Sequence, residues 1–501
     1  MNTTAQLQHW VSQLDRRVFA LGVGVVIGIL GGGIGLLMAI AGPIITLGAV
    51  LGVSAGLYIL TDVRLALYAA MASLMLLPFG TLPFRIGLTP TFLDITLGTF
   101  LLVYLIRRMT RQHIGLRLTP VHALIALYTM WLIFAFVLGF QYGNPTATNL
   151  RQFAEMLLAI SMTVVLVDLI RDPATLRRLM QVIMLLAALQ AVIAIVLFAL
   201  PDTTAENLLV RLARIGYPNG GVIRYIESNP ALGERAIGTW VDPNAFGSIM
   251  AISAVLIAPQ LFASRPVLRP RWLAWGSLAA TSLALYLTNS RASFLALALG
   301  LFMIVLLRYR QYLPLLAGGG LLFLLLPQTQ RFIDRIFQAF QGEDISTQMR
   351  IGEWTDALEL IARYPLTGIG FTGRPFRNVY TDVANMYLIM ANQIGITGVV
   401  LFLVAMSAVF IYGWYAYRAA RADETLEALH LGLHLGLLTA LVNAVADLYF
   451  FRLDFQSSIT WFWCIVALCI ASSRLALHAA PQPQGAAPAS HMAKDQAKDQ
   501  D

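Results

Sequence analysis

Four arginines, Arg151, Arg235, Arg291 and Arg350, stand where polar loops meet apolar runs. The arginine side chain is a planar fork of N–H donors that never deprotonates and fits two phosphate oxygens at once. Four of them converging at one membrane face would hold a pyrophosphate at headgroup depth. The competing reading is snorkelling to lipid phosphates, which needs no site. Arg151 has Glu155 one helical turn further on, an orienting pair. Arg235 lies in ERAIGTWVDPNAFG, eight residues ahead of an apolar run, and Arg291 follows the short polar turn that contains Ser290. Carboxylates sit beside the same segments: Asp242, Glu353, Asp356 and Asp382. A transfer to a hydroxyl would use a general base within hydrogen-bond reach; a salt-bridge role competes for each of the four. Asn244 follows a proline and either caps the next helix or hydrogen-bonds a sugar.

These residues are set in a chain of 501 residues, 58% hydrophobic and 12% charged, with mean hydropathy +0.72. That composition predicts a polytopic membrane protein and argues against several soluble domains. The apolar runs predict about fourteen spans: 18–38, 44–60, 65–80, 91–106, 119–139, 152–169, 178–199, 243–262, 272–288, 291–308, 311–326, 396–416, 429–447 and 456–473. Arginine-bearing loops fall at every second connection, from Arg16/Arg17 to Arg474, so the positive-inside rule puts both termini in the cytoplasm. With that orientation 14 arginines remain outside against 18 inside, far more than topology alone requires, and a bound anion would explain the excess. The two large outer segments are 201–242 and 327–395. The second holds ISTQMRIGEWTDALELIARY, where Ile351, Trp354, Leu358 and Ile361 recur at helical spacing, so an amphipathic helix packed across the top of the bundle is expected. The expected organisation is one transmembrane domain over 1–478 and a disordered cytoplasmic tail over 479–501.

Other features carry less chemistry. The two cysteines, Cys464 and Cys469, share one apolar run and predict neither a disulfide framework nor a thiolate site. GILGGGIGLL near the start lacks the Lys/Ser pair of a nucleotide loop, and close helix packing is expected of it. All seven histidines fall on the cytoplasmic side or at cytoplasmic helix ends, so neither a metal nor a cofactor is expected.

The chain resembles the O-antigen ligase and polymerase family of bacterial envelope glycosyltransferases, mainly over 230–400. Arg235 with GTWVDPNAFG is similar to the family's R-x-x-G-x-x-x-x-x-N segment, and TNSRASFLAL to its outer S-R motif at Ser290 and Arg291. Arg350 and Trp354 fit its R-x-x-x-W helix, which YPLTGIGF follows as the P-L-x-G-x-G turn. ANMYLIMANQIGITG matches its H-N-x-Y-L segment through Asn385 and Tyr387, but Ala384 stands where the family often has the histidine proposed as a base. The resemblance implies a GT-C-like, all-α bundle in the bacterial inner membrane with its site facing the periplasm. It implies metal-independent, inverting transfer of a glycan from undecaprenyl pyrophosphate to a hydroxyl, beside a flippase and a chain-length regulator. Arg235, Arg291, Arg350 and Asp382 are the expected catalytic residues. Arg151, Asn244, Ser290, Trp354, Asn385 and Tyr387 are expected to bind substrate. The missing histidine tips the expectation toward a polysaccharide polymerase, with a ligase acting on lipid A core as the alternative. A transporter is the non-enzyme rival, but the chain shows few ionisable residues at mid-membrane depth and no clear repeat. Inner arginines spread along short loops exclude a nucleic-acid interface.

Overall fold

The computed structural model describes residues 16–82, 89–110, 115–325, 330, 345–371 and 383–479. The chain forms two compact units, Met1–Ala66 and Leu67–Asp501. The first contains α1 (Arg16–Ala41) and α2 (Pro43–Ile59), which pack on each other. Among the described residues, a methyl at Gly28, Gly31, Gly32, Gly33 or Gly35 would meet nothing within 4 Å.

The second unit takes in most of α3 (Val63–Leu76) and then α4 (Phe92–Thr110), α5 (Val121–Leu138), α6 (Ala147–Leu169), α7 (Pro173–Ala199) and α8 (Asp202–Arg211). A two-residue antiparallel ladder follows, β1 (Arg224–Tyr225) against β2 (Glu234–Arg235). Next come α9 (Pro243–Ile257), α10 (Arg271–Leu287), α11 (Arg291–Leu307), α12 (Leu313–Leu325), α13 (Ile345–Arg363), α14 (Met386–Ala420), α15 (Glu424–Asn443) and α16 (Gln456–Ala479). A helix overlaps each of the fourteen expected spans. Apolar runs of this kind fold as helices because hydrocarbon offers no partner for an open backbone. Among the described residues, seven helices are long and apolar enough to cross a membrane; the others are shorter or less apolar. The chain is thus an all-α, multi-pass membrane protein.

Helices α9, α15 and α16 form the centre. They pack on one another or through shared neighbours, with α11 against α9 and α15, α6 and α14 against α16, and α5 against α14. The most apolar stretch of α16 is buried throughout. A helix apolar on every side belongs in such a position.

Helix α14 is broken near its start by Gly395, at φ 71°. The preceding turn threads into the break. Ile369 N–H donates to Asn392 O at 2.8 Å, Gly370 N–H to Gln393 O at 2.9 Å and Ile396 N–H to Pro365 O at 2.7 Å. Trp131 Nε1 on α5 donates to Ile394 O at 2.8 Å. Carbonyls freed by the break are thereby satisfied. The YPLTGIGF motif is a clamp that joins the end of α13 to the first turns of α14.

The amphipathic helix packs against α14, but most of its expected apolar stripe is turned away from the bundle. Met349, Ile351 and Leu358 are more than half exposed, at 63%, 54% and 57%, while Ala357 and Leu360 are buried. Arg350, Glu353 and Asp356 are half-buried. Of the expected stripe, Ile351, Trp354 and Leu358 point outward, while Ile361 is half-buried. An outward apolar face suits a helix whose surroundings include acyl chains, with its polar face turned to the protein.

Candidate functional site

Arg235 is fixed by three strands of local bonding. Its residue pairs with Arg224 across the β1–β2 ladder. The next residue, Ala236, donates its N–H to Leu287 O at 2.9 Å. Arg235 Nε then donates to Thr288 O at 2.7 Å, and Nη2 to Asn244 Oδ1 at 2.5 Å. These bonds stitch the Arg235 segment onto the turn before α11, whose first residue is Arg291. Asn289 supplies that turn's left-handed residue at φ 53°, a conformation asparagine tolerates. Arg235 and Arg291 are brought to one turn although 56 positions separate them.

Asp242 caps α9, with Oδ1 accepting the N–H groups of Asn244 at 2.8 Å and Ala245 at 2.9 Å. The cap leaves the Asn244 side chain for Arg235. Val241, just before it, is held at φ 62°, a left-handed conformation that a β-branched residue rarely adopts. A cleft of about 280 Å³ opens here, lined by Phe79, Gly216, Pro218, Arg224, Val241, Asp242 and Phe455.

The second half of the site is the loop after α15. Asp447 is 3% exposed, and its Oδ2 accepts Asn443 Nδ2 at 3.1 Å. Burial pushes its carboxyl up to about 7, Asp242 adds to that, and the positive charges of Arg350 and Arg235 oppose it. The positive charges of Arg235 and Arg350 thus both favour the ionised form of Asp447. The buried Tyr449 phenol lies beside Asp242 and Asn244, and burial with the nearby carboxylates of Asp242 and Asp447 raises its pKa well above 10.

Asp447 O also accepts Met386 N–H at 2.9 Å, which fixes the start of α14. Asn385 caps that helix, its Oδ1 accepting Tyr387 N–H at 2.9 Å and Leu388 N–H at 3.1 Å. Glu353 Oε2 on α13 accepts Ala384 N–H at 3.0 Å. Glu353 therefore ties α13 to the Ala384–Asn385 segment, and Arg350, one turn before it, is near enough to Asp447 for its charge to favour the carboxylate. Beside them Met349, Gly352, Glu353 and Asp356 line a second cleft of about 330 Å³. Trp354 is 38% exposed on the outward side of α13.

Arg235, Asn244, Arg291, Arg350 and Asn385 of the expected set thus gather at one end of the bundle. Three others have internal partners. Arg151 Nη1 pairs with Glu155 at 2.7 Å, as its spacing predicts, and with Asp94 at 3.0 Å. Ser290 is buried and its hydroxyl bonds Ser293 Oγ at 2.9 Å. The Tyr387 hydroxyl donates to Leu441 O at 2.8 Å. In this geometry the three brace helices. Asp382 lies outside the described residues. Hydropathy alone does not reveal Asp447 and Tyr449, because it counts Asp447 as the last residue of an apolar span. A lone acid in ALVNAVADLYFF was the available signal.

A larger cavity of about 620 Å³ lies elsewhere, between α11, α14 and α15, walled mainly by Met303, Leu307, Phe410, Trp414 and Tyr417. Its two histidines already have partners. His430 bonds Ser472 Oγ at 3.1 Å and Gly413 O at 3.0 Å, and His434 bonds His430 O at 2.8 Å. Among the described residues no group of three or more His, Cys, Asp or Glu could hold a metal ion.

Residues 276–403 match the family model described as O-antigen ligase. The matched stretch contains Ser290, Arg291, Arg350, Trp354, Asn385 and Tyr387; Arg235, Asn244 and Asp447 lie outside it. A comparison with curated proteins gave no match. The order of the motifs agrees with this match, and over those residues the chain is similar to the O-antigen ligase family.

Proposed function

We propose that the chain is a glycosyltransferase that moves a glycan from undecaprenyl pyrophosphate to a hydroxyl acceptor at the periplasmic face of the inner membrane. The observation that carries this reading is that Arg235 and Arg350, from separate elements, act on one buried carboxylate, Asp447, at the end of the bundle that presents Arg291. In the proposed reaction the acceptor oxygen attacks the anomeric carbon from the face opposite the pyrophosphate. The carbon–oxygen bond to pyrophosphate breaks, its electron pair leaves with the polyprenyl pyrophosphate, and the anomeric configuration inverts. Negative charge grows on the leaving group, where Arg235, Arg291 and Arg350 stabilise it. The leaving group is already activated, so the step uses no nucleotide and no metal.

The hydroxyl proton goes to a carboxylate. Asp447 takes the role that histidine fills in the family, with Asp382 as the second candidate. Asn385 and Trp354 hold the sugars. The frame is a GT-C-like bundle of about fourteen spans forming one domain to residue 478. A flippase supplies the lipid-linked glycan, and membrane lipids surround the outward face of α13.

The acceptor defines two versions. The family description favours a ligase that transfers to lipid A core. Ala384 in place of histidine favours a polymerase, working with a chain-length regulator and using a second lipid-linked unit as acceptor. The test is the full chain in proteoliposomes with an undecaprenyl-pyrophosphate-linked repeat unit, with and without lipid A core. A ligase leaves the substrate unchanged until lipid A core is added. A polymerase builds a ladder without it. In either case Arg235→Ala and Arg291→Ala should lower turnover by about a hundredfold or more, and Arg291→Lys should recover little of it. Movement of substrate across the bilayer with no bond formed in either condition would overturn the enzyme reading in favour of a transporter.

A further inference from the structure

Four arginines gather around a single carboxylate at the other end of the bundle. Asp168, at the end of α6, is 3% exposed. Its Oδ2 accepts the Tyr104 hydroxyl at 2.9 Å and Arg108 Nη1 at 3.2 Å. Its Oδ1 accepts the backbone N–H of Arg117 at 3.2 Å and Arg171 Nη2 at 3.1 Å. Arg474 on α16, also 3% exposed, donates Nη2 to Ile170 O at 2.5 Å and stands close enough to Arg117, Arg171 and Asp168 to feel all three charges. Eighteen residues of helix separate Gln456 at the start of α16 from Arg474, about 27 Å at the helical rise. The cluster is therefore remote from Arg235 and Asp447.

One negative charge faces four positive ones. Each Asp168 oxygen already accepts two donors. Among the described residues Arg474 Nη1 is buried with no hydrogen-bond partner. A buried guanidinium N–H without an acceptor is costly, and so is the mutual repulsion of the arginines. An anion with several oxygens, seated between Arg117, Arg171 and Arg474, removes both costs. The site is open on one side, since Arg117 is exposed and the Arg108 and Arg171 side chains are 31% and 30% exposed.

We propose that Arg117, Arg171 and Arg474 form a phosphate-binding site, occupied by the headgroup phosphate of an anionic membrane lipid or by free phosphate. Asp168 positions two of the three arginines and sets the site's depth. The ordinary abundance of arginine on one membrane face explains loops such as Arg265 to Arg271, but not a buried guanidinium with an open N–H.

The test uses the purified full chain, stripped of lipid in detergent, with binding read by native mass spectrometry and thermal stability. The probes are phosphatidylglycerol, phosphatidylcholine and inorganic phosphate at matched ionic strength. Phosphatidylglycerol should bind saturably and raise the melting temperature, with phosphatidylcholine at least about tenfold weaker. If inorganic phosphate gives the full effect and the lipid adds nothing, free phosphate is the occupant. Arg117→Gln and Arg171→Gln should each weaken binding by about tenfold or more. Arg308→Gln, at a different arginine-bearing helix end, should leave it unchanged. No binding of either anion overturns the proposal, as does an equal loss in Arg308→Gln, which would mark diffuse charge rather than a site.

Discussion

Asp447 is buried within reach of the charges of Arg235 and Arg350, in surroundings that disfavour its ionised form. Its carboxyl is held at about 7, against 3.8 for an ordinary aspartate, because burial outweighs the two arginines. A carboxyl raised in the fold binds its proton there while the unfolded chain has released it. Stability therefore falls as pH rises from about 4 to about 7, and Asp447→Asn should flatten that slope. Turnover should move the other way, rising through about pH 7 as the carboxylate forms. Asp447→Asn should lose most of the turnover and the acidic limb of its pH profile. Glu234 is the control, because its carboxyl is also pushed to about 7, by burial and by Asp202. Glu234→Gln should keep the limb. A limb that survives Asp447→Asn and disappears in Glu234→Gln would move the base assignment to the ladder. The arginines of this site were legible because Arg235, Arg291 and Arg350 lie beside polar turns that no apolar run explains. Asp447 was not, because a one-dimensional reading counts a single acid after LVNAVA as the end of a span. Only the fold reveals that α15 stops at Asn443 and that the loop returns beneath α14.

The elements position the site through contacts that hydropathy does not record. The pattern places a helix at 345–364, and the structure has it at 345–363, but three of its four stripe residues turn outward rather than inward. Apolar periodicity states which residues share a stripe; it cannot state whether protein or lipid covers it. The clamp between α13 and α14 was visible only as a family-like string. In the structure it fixes the distance between Arg350 and Asn385, because Gly368, Ile369 and Gly370 pack into the break at Gly395. A methyl at Gly395 would lie 2.1 Å from Leu366 O, on a backbone at φ 71°. Gly395→Ala should destabilise the fold by on the order of 2 kcal/mol or more and abolish turnover, since strain and overlap act together. Gly352→Ala, on α13, is the comparison: its methyl meets nothing within 4 Å. That variant should be neutral or more stable by about 0.5–1 kcal/mol, as expected of alanine in a helix. Thermal unfolding of the two variants in one detergent tests the pair. Wild-type stability and turnover in Gly395→Ala would mean that the break does not set the site.

At the scale of the whole molecule, the site and the arginine-rich loops lie at opposite helix ends. Arg291 opens α11 while Arg308 follows its last residue, and Asn385 opens α14 while Arg421 follows its last. The same division separates the Asp447 loop, ahead of α16, from Arg474 near its end. Arginines held back from translocation mark the cytoplasmic ends, so the Asp447 end should face the periplasm. The chain lends itself to a direct test, because its only cysteines, Cys464 and Cys469, are fully buried. A cysteine-free version can carry single reporters at exposed positions: Ala231→Cys before β2, Ala362→Cys near the end of α13, and Ala422→Cys after α14. An impermeant maleimide, given access to the periplasm but not the cytoplasm, should label the first two and reach the third only after the inner membrane is permeabilised. The reverse pattern would put the arginines on the side where nucleotide-activated sugars are made. Transfer from a flipped, lipid-linked donor would then be untenable, whereas the charges of Arg235 and Arg350 around Asp447 would remain and call for a cytoplasmic pyrophosphate substrate.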